Sequence, residues 1–266
     1  MRGRHRSVRG DGGTVKDTNP VPLKERLAGG ERLLGGLLRL PAGPLVEMAG
    51  VAGLDFVVID CEHGPADVVP LQQHIQAAAA HGLPVLIRVG TEEPSLVLRA
   101  LDAGAQGVIV PHVDSADHAR RAVAWAHYPP RGERGFATYS RSGRFGEAGI
   151  AEHLAHAAAT TVVVPMLETP QACAAAGEIL AVSGVDAVLV GPADLSVAMG
   201  LTGGAAEPQV RGATQQVVEA AKRSGKPMVT IVNSTQQAAA APPGAVLYNL
   251  THVLMRTLRA LSTPER

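Results

Sequence analysis

A chain of 266 residues with 46% hydrophobic side chains can bury one large core, and α/β barrels routinely close as one domain at about 250 residues. The 24 Lys and Arg balance 24 Asp and Glu, which excludes a bulk electrostatic pull toward nucleic acid or an anionic membrane. Aromatic residues make up only 3% and no apolar run reaches the ~18 residues of a membrane span, so the core must come from Val, Leu, Ile and Ala, as in a parallel sheet buried on both faces.

The first segment, residues 1–21, carries Arg2, Arg4, Arg6 and Arg9 among glycines with no apolar stretch behind them. A signal peptide needs that stretch, so a disordered N-terminal extension is expected. From 22 to 262 short aliphatic runs alternate with Ala-rich helical patterns. Strands are expected at 33–38, 56–60, 85–89, 107–110, 161–168, 186–190, 227–231 and 245–248. Helices are expected near 43–52, 66–81, 94–103, 115–127, 170–182, 207–224, 234–241 and 250–261. This alternation describes βαβ units and a parallel sheet, and eight units in this length close as a single (β/α)8 TIM barrel of the α/β class. An open sheet with a nucleotide site is disfavoured, because no G-x-G-x-x-G follows a strand and no Walker-type loop exists. Cys61 and Cys173 fall at a strand end and in a helix without metal or disulfide spacing, so a reducing cytoplasm is the expected compartment.

Residues 128–160 break the rhythm with a Gly-, Arg- and Pro-rich piece before the fifth strand. Loops of this length in a compact domain are usually functional or disordered. Part of it is expected to cross back toward the catalytic end, with Arg131 and Arg134 either binding an acidic substrate or standing as ordinary loop arginines.

Catalytic groups of such barrels come from the C-terminal ends of several strands. Strand two is followed by Asp60-Cys61-Glu62-His63, and strand three ends in Ile87-Arg88. Strand four ends in Pro111-His112, strand five in Leu167-Glu168, and strand six in Gly191-Pro192-Ala193-Asp194. Charges directly after buried aliphatic runs are costly unless paired or ligand-bound. Alone, Asp194 suits a cap for a short helix and Glu168 a salt bridge to Arg88; together, on neighbouring strand ends, they suit Mg²⁺ or Mn²⁺. Asp60 and His63 offer a carboxylate that orients an imidazole base. Glu62 reads either as support beside a metal or as a solvated acid. Arg88 places a permanent positive charge where an enolate oxygen would develop, or forms a salt bridge within the barrel. The turn from Gly191 to Ser196 presents backbone N–H groups that favour a carboxylate. His112, His74, His81, His118, His127, His153 and His156 are read as structural.

Six segments carry a resemblance: Ile59-Asp-Cys-Glu-His-Gly-Pro65, Leu86-Ile-Arg88, Asp102-Ala-Gly-Ala-Gln-Gly-Val-Ile-Val-Pro-His112, Tyr128-Pro-Pro-Arg-Gly-Glu-Arg-Gly135, Met166-Leu-Glu168 and Val190-Gly-Pro-Ala-Asp-Leu-Ser196. In this order and spacing the chain resembles the HpcH/HpaI aldolase family of metal-dependent pyruvate aldolases, from about Leu23 to Ala260. The resemblance implies a phosphoenolpyruvate/pyruvate-type barrel and a carbon–carbon lyase. Its reaction would be the reversible cleavage of a 4-hydroxy-2-oxo acid to pyruvate and an aldehyde. It further implies Glu168 and Asp194 as ligands of Mg²⁺, Mn²⁺ or Co²⁺, with Arg88 beside the keto oxygen. His63 supported by Asp60 would be the base, Gly191, Pro192, Ala193 and Asp194 would bind substrate, and the assembly would be a homo-oligomer, a trimer or hexamer. A citrate-lyase-like acyl-CoA thioester lyase is the alternative, but that branch usually shows Leu-Glu-Asp on the second strand; a non-catalytic barrel binding protein is another. The chain departs from the family at the last strand, where Tyr248-Asn249-Leu250-Thr251 replaces a Gly-Ser-Asp type turn, and the preceding helix is abbreviated.

Overall fold

In a computed structural model that describes residues 21–64 and 68–262, eight parallel strands close into a barrel in chain order. They are β1 Leu33–Leu38, β2 Phe56–Asp60, β3 Val85–Arg88, β4 Gly107–Val110, β5 Val162–Leu167, β6 Val188–Val190, β7 Met228–Val232 and β8 Gly244–Asn249. The helices are α1 Leu23–Ala28, α2 Gly43–Val51, α3 Val68–Ala80, α4 Pro94–Asp102, α5 Ala116–Ala126 and α6 Ile150–Thr160. There follow α7 Pro170–Ala174, α8 Ala176–Leu180, α9 Pro192–Ala198, α10 Pro208–Ser224, α11 Thr235–Ala240 and α12 Leu250–Ser262. The closed (β/α)8 architecture is the expected one, and the extension at 1–20 lies outside the described residues.

Local chemistry starts and stops these elements. Ser115, Thr169 and Ser234 accept the free N–H of His118, Ala172 and Gln237 at the first turns of α5, α7 and α11. Pro opens α2, α4, α7, α9 and α10, where its missing N–H leaves no bond unmade. Helix α10 stops at Gly225, whose φ of 65° is open to glycine without strain. The helix expected over 170–182 is broken at Ala175 into α7 and α8. The sixth strand begins two residues late, because Asp186 turns its carboxylate back to accept the N–H of Val163 at 2.9 Å.

Alternate residues of each strand face opposite ways. One set fills the barrel: Leu33, Leu37, Phe56, Val58, Leu86, Ile109, Val164, Met166, Leu189, Val229 and Leu247 pack as one cluster, with Leu23 and Leu27 of α1 against it. The other set, including Val57, Ile59, Val85, Ile87, Val108, Val110 and Leu167, packs against the helices. Gly35 makes room for the Phe56 ring, since a Cβ there would lie 2.4 Å from it. Lys24 of α1 donates to the Thr161 carbonyl at 2.7 Å and pairs with Asp186 at 3.2 Å. Both groups precede strands, so α1 closes the floor. The same alternation puts Asp60 two residues beyond Val58, Arg88 two beyond Leu86 and Glu168 two beyond Met166, all on the interior side at the opposite, C-terminal mouth.

The inserted segment does not reach that mouth, which corrects the expectation for it. Arg134 is buried, donates to Asp102 at 2.7 Å and lies 4.6 Å over the Tyr128 ring. The Ser142 N–H bonds the Asp102 carbonyl at 3.0 Å. Asp102 ends α4 and leads into β4, so these contacts lie at the floor side. Arg131 is exposed beside Gly184, on the way into β6. The physical reason is chain order: a segment between a helix and the next strand belongs to the floor of a parallel barrel. His74, His118, His127 and His153 are buried, with burial lowering the pKa of each ring; His81 and His156 are exposed.

Candidate active site

The parallel register sets Asp60 directly beside Arg88 across β2 and β3. Arg88 Nε donates to Asp60 Oδ1 at 2.9 Å and Nη2 to Oδ2 at 2.5 Å, a two-pronged pair with side chains 0% and 3% exposed. The third nitrogen, Nη1, faces Glu62 Oε2 at 3.2 Å and Met166 Sδ at 3.7 Å. Asp60 also accepts Arg39 Nε at 2.7 Å and the backbone N–H groups of Glu62 and His63, each at 3.2 Å. Burial alone would raise the Asp60 carboxyl, but the bonds and charge of Arg88, with Arg39 and the His63 N–H, hold it below the usual range. Burial likewise opposes the charge on Arg88, and Asp60, Glu62 and Glu168 more than restore it. The result is a fixed guanidinium aimed across the barrel mouth.

Glu168, one residue past β5, is 2% exposed. Its Oε2 accepts the His112 N–H at 3.0 Å and lies 3.4 Å from His112 Nδ1. Burial pushes the carboxyl up to about 7; the His112 N–H and ring pull it down, while Asp194 and Glu62 add to the rise. Gly191 packs against it, since a Cβ there would stand 2.5 Å from Glu168 Oε1. Asp194 is half-buried in the first turn of α9, which begins at Pro192, so it is not that helix's cap. Arg88 pairs with Asp60 and Glu62 rather than with Glu168.

The expected union of Asp60 with the His63 ring is not formed. Both Asp60 oxygens are taken by guanidinium groups and backbone N–H groups, and the His63 side chain is 55% exposed with Nε2 3.9 Å from Glu62 Oε2. Glu62 is not a solvated acid: only 10% exposed, it sits 3.2 Å from Arg88 Nη1 and 3.7 Å from His112 Nε2. Burial and the charges of Asp60 and Glu93 push the Cys61 thiol up to about 12, which keeps it in the thiol form near neutral pH.

Two residues at this mouth have parts that the sequence reading did not give them: His112 was read as structural, and Arg39 was not considered. His112 takes a left-handed φ of 52°, uncommon for a residue other than glycine, and this turn brings its N–H and ring onto Glu168. Arg39 follows β1 and meets Asp60. Extending the strand-end reading to the first strand would have flagged Arg39.

Among the described residues no three His, Cys, Asp or Glu converge as a complete ligand set. A buried acid raised by a second acid, with glycine clearing the space beside it, nevertheless fits a cation completed by water and substrate oxygens.

The model of the family described as HpcH/HpaI aldolase/citrate lyase matches residues 40–241. A 5-keto-4-deoxy-D-glucarate aldolase of Klebsiella pneumoniae is 35% identical over 208 residues, 78% of this chain and 80% of that protein. A 2-keto-3-deoxy-L-rhamnonate aldolase of Escherichia coli is 35% identical over 206 residues, 77% of this chain and 76% of the relative. A solved HpcH/HpaI aldolase/citrate lyase family protein of Burkholderia cenocepacia superposes with a TM-score of 0.84 at 33% identity, covering 90% of this chain and 97% of the other.

Proposed function

The chain belongs to the HpcH/HpaI aldolase/citrate lyase family, and from that premise we propose that it is a carbon–carbon lyase that reversibly cleaves a 4-hydroxy-2-oxo acid to pyruvate and an aldehyde. The observation that carries this reading is the Asp60–Arg88–Glu62 array facing Glu168 and Asp194 across one barrel mouth. A divalent cation (Mg²⁺, Mn²⁺ or Co²⁺) held by Glu168 and Asp194 would polarise the substrate's keto group and orient its carboxylate.

The residues of the chain supply the rest. His63, exposed at the mouth beside Glu62, takes the proton of the C4 hydroxyl. The C3–C4 bond then breaks: the C4 oxygen's electrons form the aldehyde carbonyl, and the bonding pair moves into C3 and the C2 oxygen as the pyruvate enolate. Arg88, locked by Asp60 so that no reorganisation is needed, offers Nη1 to that developing oxyanion. Protonation at C3 releases pyruvate, with the proton from His63 returning to solution or to C3. The turn Gly191, Pro192, Ala193 and Asp194 flanks the substrate carboxylate, and His112 fixes Glu168 through its N–H. Glu62, not Asp60, is the acid next to the His63 ring.

Helix α12 buries none of its residues and exposes Leu254, Met255, Leu258 and Leu261. An exposed apolar stripe of this kind supports a homo-oligomer, a trimer or hexamer. Among the described residues no helix is long and apolar enough to cross a membrane, and we place the protein in the cytoplasm with small-molecule 2-oxo acid and aldehyde partners.

The test is pyruvate release from a 4-hydroxy-2-oxo acid before and after chelator treatment. The reading predicts loss with chelator and recovery with Mg²⁺, Mn²⁺ or Co²⁺; full activity in metal-free protein would overturn it.

A further inference from the structure

Away from the substrate side of the mouth, the barrel wall opens between two strands. The β6–β7 ladder holds only two registers, Val188 with Met228 and Leu189 with Val229, whereas β7 runs on beside β8 to Val232. The outer layer is thin at the same place, because α11 is 6 residues long against 17 for α10. Between β6, β7, α10 and α11 lies a cavity of about 380 Å³, within the size range of small-molecule sites. Val190, Val218, Met228 and Ile231 give it aliphatic walls.

Two polar groups of this cavity are unmatched. Thr230 faces outward with Met228, since Val229 and Ile231 on either side of it pack with the barrel interior. Its Oγ1 is shielded from solvent and has no hydrogen-bond partner among the described residues. A shielded hydroxyl left in that state is destabilising, and a ligand acceptor would relieve it. Arg211 lines the same cavity from the first turn of α10. One of its nitrogens, Nη1, donates to the Ala206 carbonyl, and among the described residues no carboxylate pairs with it. A cation in a first turn adds to the positive end of the helix dipole instead of opposing it, and no acid stands in that turn. The local excess of positive charge therefore calls for an anion, and the walls call for an aliphatic body.

We propose that this cavity is a second ligand site, specific for a short-chain aliphatic monocarboxylate. Its carboxylate pairs with Arg211 and accepts the Thr230 hydroxyl, and its chain lies among Val190, Val218, Met228 and Ile231. Pro192 forms part of the wall, so the site adjoins the turn before Asp194 without using Glu168, Arg88 or His63.

The experiment is calorimetric titration of the full chain with hexanoate, and with hexan-1-ol as the uncharged probe of equal length. Both are run with Mg²⁺ and saturating pyruvate present, so that the mouth is occupied. The proposal predicts saturable binding of hexanoate at one site per chain. Affinity should fall about 10- to 100-fold in Arg211→Gln and about 3- to 10-fold in Thr230→Val, variants whose circular dichroism should match wild type. Hexan-1-ol should bind the wild type no better than hexanoate binds Arg211→Gln. Absence of saturable hexanoate binding, or equal affinity in wild type and Arg211→Gln, would overturn the site. Binding seen only when pyruvate is left out would place hexanoate in the mouth and overturn it equally. Equal affinities for hexanoate and hexan-1-ol would overturn the assignment to a carboxylate.

Discussion

Two buried arginines of this barrel each hold an aspartate, and only one of them belongs to the candidate site. At the mouth, Arg88 grips Asp60 with two nitrogens and keeps the third among Glu62, Met166 and the raised carboxyl of Glu168. On the floor side, Arg134 donates once to Asp102 and lies 4.6 Å over the Tyr128 ring, whose hydroxyl is 2.9 Å from His153 Nε2. Burial and pairing are common to both and mark neither as functional. What separates them is the surrounding charge. Arg134 is neutralised and stacked, a clamp that fastens the inserted segment to the end of α4. Arg88 is one member of a group of acids and bases from five strand ends.

The first way to break this comparison is to remove each arginine in turn. Arg88→Met should lower kcat for pyruvate release by about 10²- to 10³-fold, the usual loss for one donor to a developing oxyanion, measured by steady-state kinetics on protein whose circular dichroism matches wild type. Arg134→Met should act on stability instead. Losing this pair and the contact with Tyr128 should lower the denaturant midpoint, by less than the about 3–5 kcal/mol of a fully buried pair because Asp102 keeps 23% of its side chain exposed, with kcat of the folded fraction kept. A hundredfold fall in kcat for the folded Arg134 variant would place the insert in the site after all.

The buried histidines sharpen the floor side further. Burial lowers His127 to about 4, with Lys24, Arg131 and Arg134 adding to the effect. A ring neutral in the folded state and ordinary when unfolded contributes stability that is complete above about 6.5 and is lost as pH falls from there to about 4. The shift corresponds to about 3 kcal/mol over that window. Urea midpoints between pH 7.5 and 4.5 should show it, and His127→Gln should flatten the slope. The smallest expected effect is that of Arg131→Ala. An exposed loop charge is worth no more than about 0.5 kcal/mol, so both midpoint and turnover should stay within error of wild type.

Much of this is legible in the amino-acid sequence. Aliphatic runs of strand length alternating with Ala-rich helical patterns specified the barrel, and strand-end reading reached Asp60, Arg88, Glu168 and Asp194. It erred where contact is made across strands rather than along the chain. His63 is three residues from Asp60 and reads as its partner, but the β2–β3 register gives Asp60 to Arg88. His112 was read as structural because the left-handed turn that swings it onto Glu168 leaves no mark in a Pro-His dipeptide. Arg39 was passed over because β1 contributed no carboxylate or imidazole. Part of the insert was expected at the mouth because loops of its length are usually functional, although its place after a helix and before a strand specifies the floor.

The central claim is that the mouth stabilises a pyruvate enolate through Arg88. Exchange of pyruvate methyl protons with D₂O, followed by NMR on Mn²⁺-loaded protein, tests it without any choice of aldehyde. The account predicts exchange in the wild type and a fall of about 10²-fold or more in Arg88→Met. Exchange at equal rates in the two proteins, or none in the wild type, would contradict it.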